Sequence, residues 1–92
     1  MVEAGKLTDF LHGEFIGRKI RVVESSNRDL IGIEGKIVDE TKNMFEIETE
    51  KGIKRVQKKV CKFLFEEEGI RVDGSIINYR PEDRLNVKFR DW

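Results

Sequence analysis

Leu30 to Thr49 reads LIGIEGKIVDETKNMFEIET, and its dominant period is two. Ile31, Ile33, Gly35 and Ile37 fall on one side, with Glu34 and Lys36 opposite; after ETKN, Phe45 and Ile47 face away from Glu46 and Glu48. Such alternation describes half-buried antiparallel strands, packed on one face and wet on the other. The same rhythm appears upstream in RKIRVVES, through Ile20 and Val22, and downstream in VCKFLFEE, through Cys61, Phe63 and Phe65. SSNRD at 25–29, ETKN at 40–43, EKG at 50–52 and EEG at 67–69 mark the turns. Short strands joined by short turns predict an all-β fold, a small closed antiparallel barrel of about six strands. Its expected core is Ile20, Val22, Ile31, Ile33, Ile37, Phe45, Ile47, Phe63 and Phe65. Gly32 and Gly35, inside the longest pattern, are expected to bend one strand around both sides of the barrel.

At 92 residues the chain holds one core. Residues 1–16 read as an N-terminal helical segment, with Leu7, Phe10 and Leu11 at helical spacing, Thr8 or Asp9 as cap and Gly13 as stop. Residues 17–90 read as the barrel, with a short helical turn near 81–85 begun by Pro81 and carrying Glu82 and Asp83. Alternation then resumes through Leu85, Val87 and Phe89. One cysteine excludes an internal disulfide, and no apolar run approaches the roughly 20 residues of a membrane span. MVEAGKLTDF lacks the pattern of a signal peptide, so a cytoplasmic location is expected.

Zero net charge conceals a dipolar chain. Residues 1–50 carry 7 bases and 11 acids, and residues 51–92 carry 11 and 7, so the halves stand at −4 and +4. The sorting is sharpest in KGIKRVQKKVCK, Lys51 to Lys62, which has six bases and no acid.

Catalytic groups are not assembled by this pattern. His12 has no evident nucleophile beside it, and Cys61 shares a face with Phe63 and Phe65, as a small core residue would. Glu66, Glu67 and Glu68 point in alternating directions and do not converge on a cation. GIEG at 32–35 imitates a KH-domain loop, but it lies in a strand pattern rather than between helices. No catalytic residue, metal site or cofactor is expected. The basic segment admits two readings: a solvated strand face, or a track for phosphates formed by Lys54, Arg55, Lys58, Lys59 and Lys62. Even spacing of Lys54, Lys58 and Lys62 places them on one outer face if the strands run through. Aromatics fall on core faces, which disfavours base stacking and favours a folded RNA read by backbone and shape.

Glu24 to Lys59 resembles the archaeal ribonuclease P protein component 1 family. The carrying pieces are Glu24-Ser25 with Asn27, Leu30, Gly32 and Gly35, then Asp39-Glu40-Thr41 with Asn43, and Glu48-Thr49. Downstream, Asp73-Gly74-Ser75 and Arg80-Pro81-Glu82-Asp83-Arg84 extend the likeness, which spans about residues 14–85. The resemblance implies an Sm-like six-stranded barrel and a non-catalytic subunit of ribonuclease P, the ribonucleoprotein that removes 5′ leaders from precursor tRNA with chemistry carried by its RNA. It also implies a zinc-ribbon protein partner, with which the chain binds the specificity domain of the RNA among the other ribonuclease P proteins. On this reading the basic segment faces RNA, and Arg80 and Arg84, four apart, form a second contact unless they pair with Glu82 or Asp83. Phe10, Leu11, Phe15 and Ile16 form a patch for the protein partner, or plug one barrel end. A generic Sm-like RNA-binding module and a protein-interaction barrel are the alternatives.

Overall fold

Strands form where apolar residues alternate, and the computed structural model, which describes residues 10, 11 and 13–84, contains six of them. They are β1 (Lys19–Ser25), β2 (Glu34–Glu40), β3 (Met44–Thr49), β4 (Gly52–Gln57), β5 (Cys61–Phe65) and β6 (Ile70–Asp73). All pair antiparallel in one sheet of order β4-β3-β2-β1-β5-β6. The first strand thus lies at its centre. Val56 from one edge strand and Val72 from the other belong to the same buried cluster, so the sheet curls around a single core.

The all-β, antiparallel, six-stranded expectation holds. Closure is a finer matter: no ladder joins β4 to β6 among the described residues. Two 3-10 turns, Lys58–Val60 and Gly74–Ile77, pack against each other on that side. Their approach is close enough that a Cβ on Gly74 would lie 1.7 Å from the Lys58 carbonyl oxygen, which only glycine avoids.

Ile20, Val22, Ile37, Phe45, Ile47, Phe63 and Phe65 are buried as expected, joined by Val56, Ile70, Val72 and Ile77. Ile31 is a correction. It is 47% exposed, because β2 begins only at Glu34 and the residues before it belong to the β1–β2 connection. Ile33 packs only partly against the core. Gly35 serves close packing: a Cβ there would lie 2.0 Å from the Glu48 carbonyl oxygen on β3.

Phe10, Leu11 and Phe15 are buried in the same cluster. Phe10 meets the Phe65 ring edge-on at 4.9 Å, and Phe15 lies 5.1 Å from it. These three residues plug the curled sheet instead of forming an outward docking patch, since three large apolar side chains gain more inside than on the surface. Ile16 alone of the four is exposed. Leu7, Thr8, Asp9, His12, Leu85, Val87 and Phe89 lie outside the described residues. Among the described residues, no helix is long and apolar enough to cross a membrane.

Candidate nucleic-acid interface

Two local irregularities decide where the basic residues point. The β2–β3 register shifts between Ile37 and Asp39. A bulge of this kind resets which side chains face inward, and Glu40 accordingly turns into the core, 7% exposed. Between β4 and β5 the 3-10 turn Lys58–Val60 interrupts the alternation. Lys58 is thereby carried inward and is fully buried.

Inside, Lys58 Nζ donates to Glu40 Oε2 at 2.7 Å, to the Thr41 carbonyl at 2.7 Å and to the Tyr79 carbonyl at 3.1 Å. Arg84, in the short helix α1 (Pro81–Arg84), is 1% exposed. Its Nη1 donates to Glu40 Oε2, and its Nη2 donates to Glu40 Oε1 at 3.1 Å and to the Gly13 carbonyl at 3.0 Å. The Arg84 guanidinium lies 4.0 Å from the centre of the Phe15 ring, and the Lys58 ammonium 4.9 Å from that of Phe45. One carboxylate thus holds two cations over aromatic faces. Burial pushes the Lys58 ammonium below its ordinary pKa against the pull of Glu40, and the nearby Arg84 charge works in the same direction as burial.

Lys58 and Arg84 were both expected on an RNA-facing surface, and both expectations are corrected. Their charges are consumed internally, tying the segment at Gly13, the end of β2, the 3-10 turn and α1 together. Arg84 also pairs with neither Glu82 nor Asp83. Glu40, the hub, was missed by the sequence reading: strict alternation from Ile37 places it outside, and its partners stand 18 and 44 residues away.

Other basic residues stay outside. Lys54, Lys59 and Arg80 are exposed and make no ion pair among the described residues. Lys54 does not share a track with Lys62. It pairs with Ile47 in the ladder, has the parity of buried Val56, and lines an open cavity with Ile31, Ile33, Thr49 and Lys51. Arg55 Nε meets Glu46 at 2.9 Å with Arg55 73% exposed and Glu46 partly buried, and Lys62 meets Glu24 at 3.3 Å with both side chains exposed. Surface pairs of this kind contribute about 0–1 kcal/mol and are readily exchanged for phosphate. Cys61 is a buried core residue whose thiol donates to Ser25 Oγ at 3.5 Å; burial raises its pKa. No group of three or more His, Cys, Asp or Glu side chains that could hold a metal ion occurs among the described residues.

Against known proteins, the family model described as ribonuclease P/MRP, subunit p29, matches residues 8–87. The chain is 44% identical over 85 residues to ribonuclease P protein component 1 of Methanocaldococcus jannaschii, covering 89% of this chain and 90% of the relative. With the protein of the same name from Thermoplasma volcanium it is 53% identical over 72 residues, covering 78% and 80%. A solved structure described as Mth11, a homologue of human RNase P protein Rpp29, is similar with a TM-score of 0.57 at 38% identity, over 78% of this chain and 97% of that one.

Proposed function

The chain belongs to the ribonuclease P/MRP subunit p29 family and is a protein subunit of ribonuclease P, and from that premise we propose how it works there. It binds the ribonuclease P RNA in its specificity domain and supports removal of the 5′ leader of precursor tRNA, with the RNA carrying the chemistry and this chain contributing no catalytic group. The observation that carries this reading is the family match across residues 8–87. Exposed Lys54, Arg55, Lys59, Lys62 and Arg80 supply the phosphate contacts, whereas Lys58 and Arg84 hold the fold that presents them. The curled sheet works as an Sm-like barrel, plugged by Phe10, Leu11 and Phe15. It works in the cytoplasm beside the other ribonuclease P proteins. A zinc-ribbon subunit is the direct protein partner, and Ile16 is the one residue of the expected patch still exposed to meet it.

The test is affinity for ribonuclease P RNA as a function of salt. Each phosphate contact adds about 0.7–0.9 to the slope of log K against log salt. Lys59→Gln and Arg80→Gln should each flatten the slope by about that amount and weaken different RNAs similarly, because phosphates carry no sequence information. Unchanged slopes in both variants would place the RNA on another surface.

A further inference from the structure

Lys58 leaves a composite surface unexplained by a phosphate track. Its buried ammonium bonds at once to the Thr41 carbonyl, in the β2–β3 loop, and to the Tyr79 carbonyl, ahead of α1. Its backbone N–H donates to the Asn43 carbonyl at 2.8 Å. Asn78 Nδ2 then donates to Asn43 Oδ1 at 2.9 Å, a second stitch between the same two segments. Two stretches 35 residues apart in sequence are in this way held side by side. Between them and the end of β4 lies a cleft of about 370 Å³ lined by Asn43, Met44, Gln57, Lys59 and Asn78.

The chemistry of this cleft differs from that of the rest of the basic surface. The Gln57 amide offers a paired donor and acceptor, and Asn43 keeps its Nδ2 donor beside it; phosphates do not need such a pairing but base edges do. Asn78 Oδ1 is buried and has no donor among the described residues, so Asn78 serves to brace Asn43. Tyr79, the neighbour of Asn78, is 40% exposed and is the only exposed aromatic among the described residues. Lys59 lines the cleft, and exposed Arg80 follows Tyr79 in the chain. The cleft on the other side of Lys59 holds Glu24 and Asp73 with Lys62, so a phosphate is better placed on the Asn78 side of Lys59.

We propose that this cleft binds one unpaired nucleotide of RNA, the base stacking on Tyr79, its edge meeting Gln57 and Asn43 Nδ2, and the flanking phosphates meeting Lys59 and Arg80. Unpaired bases splayed from a folded RNA are the part that proteins read by stacking and edge contacts. The proposal rests on the RNA-binding reading above and adds a second mode of contact to it. Lys58 is here a positioning residue: it touches no RNA and braces the two segments that do.

The probe is a fluorescent RNA hairpin whose stem carries a single-nucleotide bulge of 2-aminopurine, compared with the same stem unbulged. The wild-type chain should favour the bulged stem and quench the 2-aminopurine on binding. Tyr79→Leu, which keeps apolar bulk, should lower affinity for the bulged stem by about 5- to 150-fold, the range of one base–aromatic stack, and abolish most of the quenching. Its affinity for the unbulged stem should stay the same. Tyr79→Phe should behave as wild type, and Asn43→Ala should lower only the bulged affinity. Equal binding of the two stems by wild type with normal salt dependence, or equal losses on both stems in Tyr79→Leu, would overturn the cleft alone. Failure of the wild-type chain to bind either stem at low salt would overturn the cleft and the RNA-binding reading together.

Discussion

Glu40→Gln should be among the most damaging conservative substitutions in this chain. Glutamine fills the same volume but leaves Lys58, fully buried, and Arg84, 1% exposed, facing each other with no negative charge between them. Removing one partner from a buried ion pair costs about 3–5 kcal/mol, because the remaining charge is stranded. Here two charges are stranded. Small domains have about 5–15 kcal/mol of stability in all, and at this size about 1 kcal/mol corresponds to roughly 4–8 °C. Thermal unfolding followed by circular dichroism should therefore show a drop of at least about 12 °C. Lys58→Met should do less harm. It leaves Glu40 neutralised by Arg84 alone, and its main loss is the donor to the Thr41 and Tyr79 carbonyls, about 1–3 kcal/mol. Adding Lys58→Met to Glu40→Gln removes one of the stranded charges, so the double variant should be more stable than the sum of the singles by about 0.5–3 kcal/mol. A Glu40→Gln cost under about 1 kcal/mol, or strict additivity, would refute the account of a shared carboxylate.

Phe63→Ala, at the fully buried centre of β5 and 5.3 Å from the Phe45 ring, should cost about 3–5 kcal/mol in urea unfolding; a loss below about 1 kcal/mol would invert the strand's assigned face. Gly74→Ala must move the Lys58 backbone, and Gly35→Ala that of Glu48; each should cost at least about 1–3 kcal/mol by the same measurement. Lys58 has its pKa below 10.5 in the folded chain, chiefly through burial, and its ordinary value when unfolded. Between those two values the unfolded chain binds more protons, so stability rises with pH. Wild type should gain on Lys58→Met as pH rises toward 10.5, read as urea midpoints, and a relative loss would reverse the assigned direction.

Periodicity revealed the strands because each buries one face, and a run such as Met44–Thr49 states its inward residues, Phe45 and Ile47, without reference to any other part of the chain. Ile31 misled because its parity matches Ile37 while its backbone has not yet entered the sheet. Lys54, Lys58 and Lys62 misled in a different way: their even spacing has meaning only on one continuous strand, and the 3-10 turn at Lys58 breaks it. The hub at Glu40 depends on a one-residue register shift and on partners from distant segments. Neither is encoded in local alternation, and a charged side chain gives no local sign that it will be buried. Arg80 and Arg84 share a composition and a helical spacing, yet one is solvated and the other enclosed. What separates them is the Gly13 carbonyl and Phe15 ring waiting on a segment some 70 residues earlier. The candidate cleft was equally hidden, since Asn43 and Asn78 meet only after the fold has formed.

The central place of β1 has a consequence for how the chain acquires its shape. β2, β3 and β4 form a meander of immediate neighbours, complete once Gln57 has left the ribosome, whereas Val22 must wait for Phe63, 41 residues further on. Loop closure over that distance is the slow kind of contact. The meander should then be the seed, with β1 docking onto it and waiting, one side bare, until β5 arrives to cover it. Substitutions in the β3–β4 hairpin should slow refolding, and those in β5 or β6 should chiefly hasten unfolding. In the interval an unfilled strand edge is on offer at the middle of the nascent sheet. This protein is therefore most exposed to mispairing during its own synthesis, when some two-thirds of it has been made.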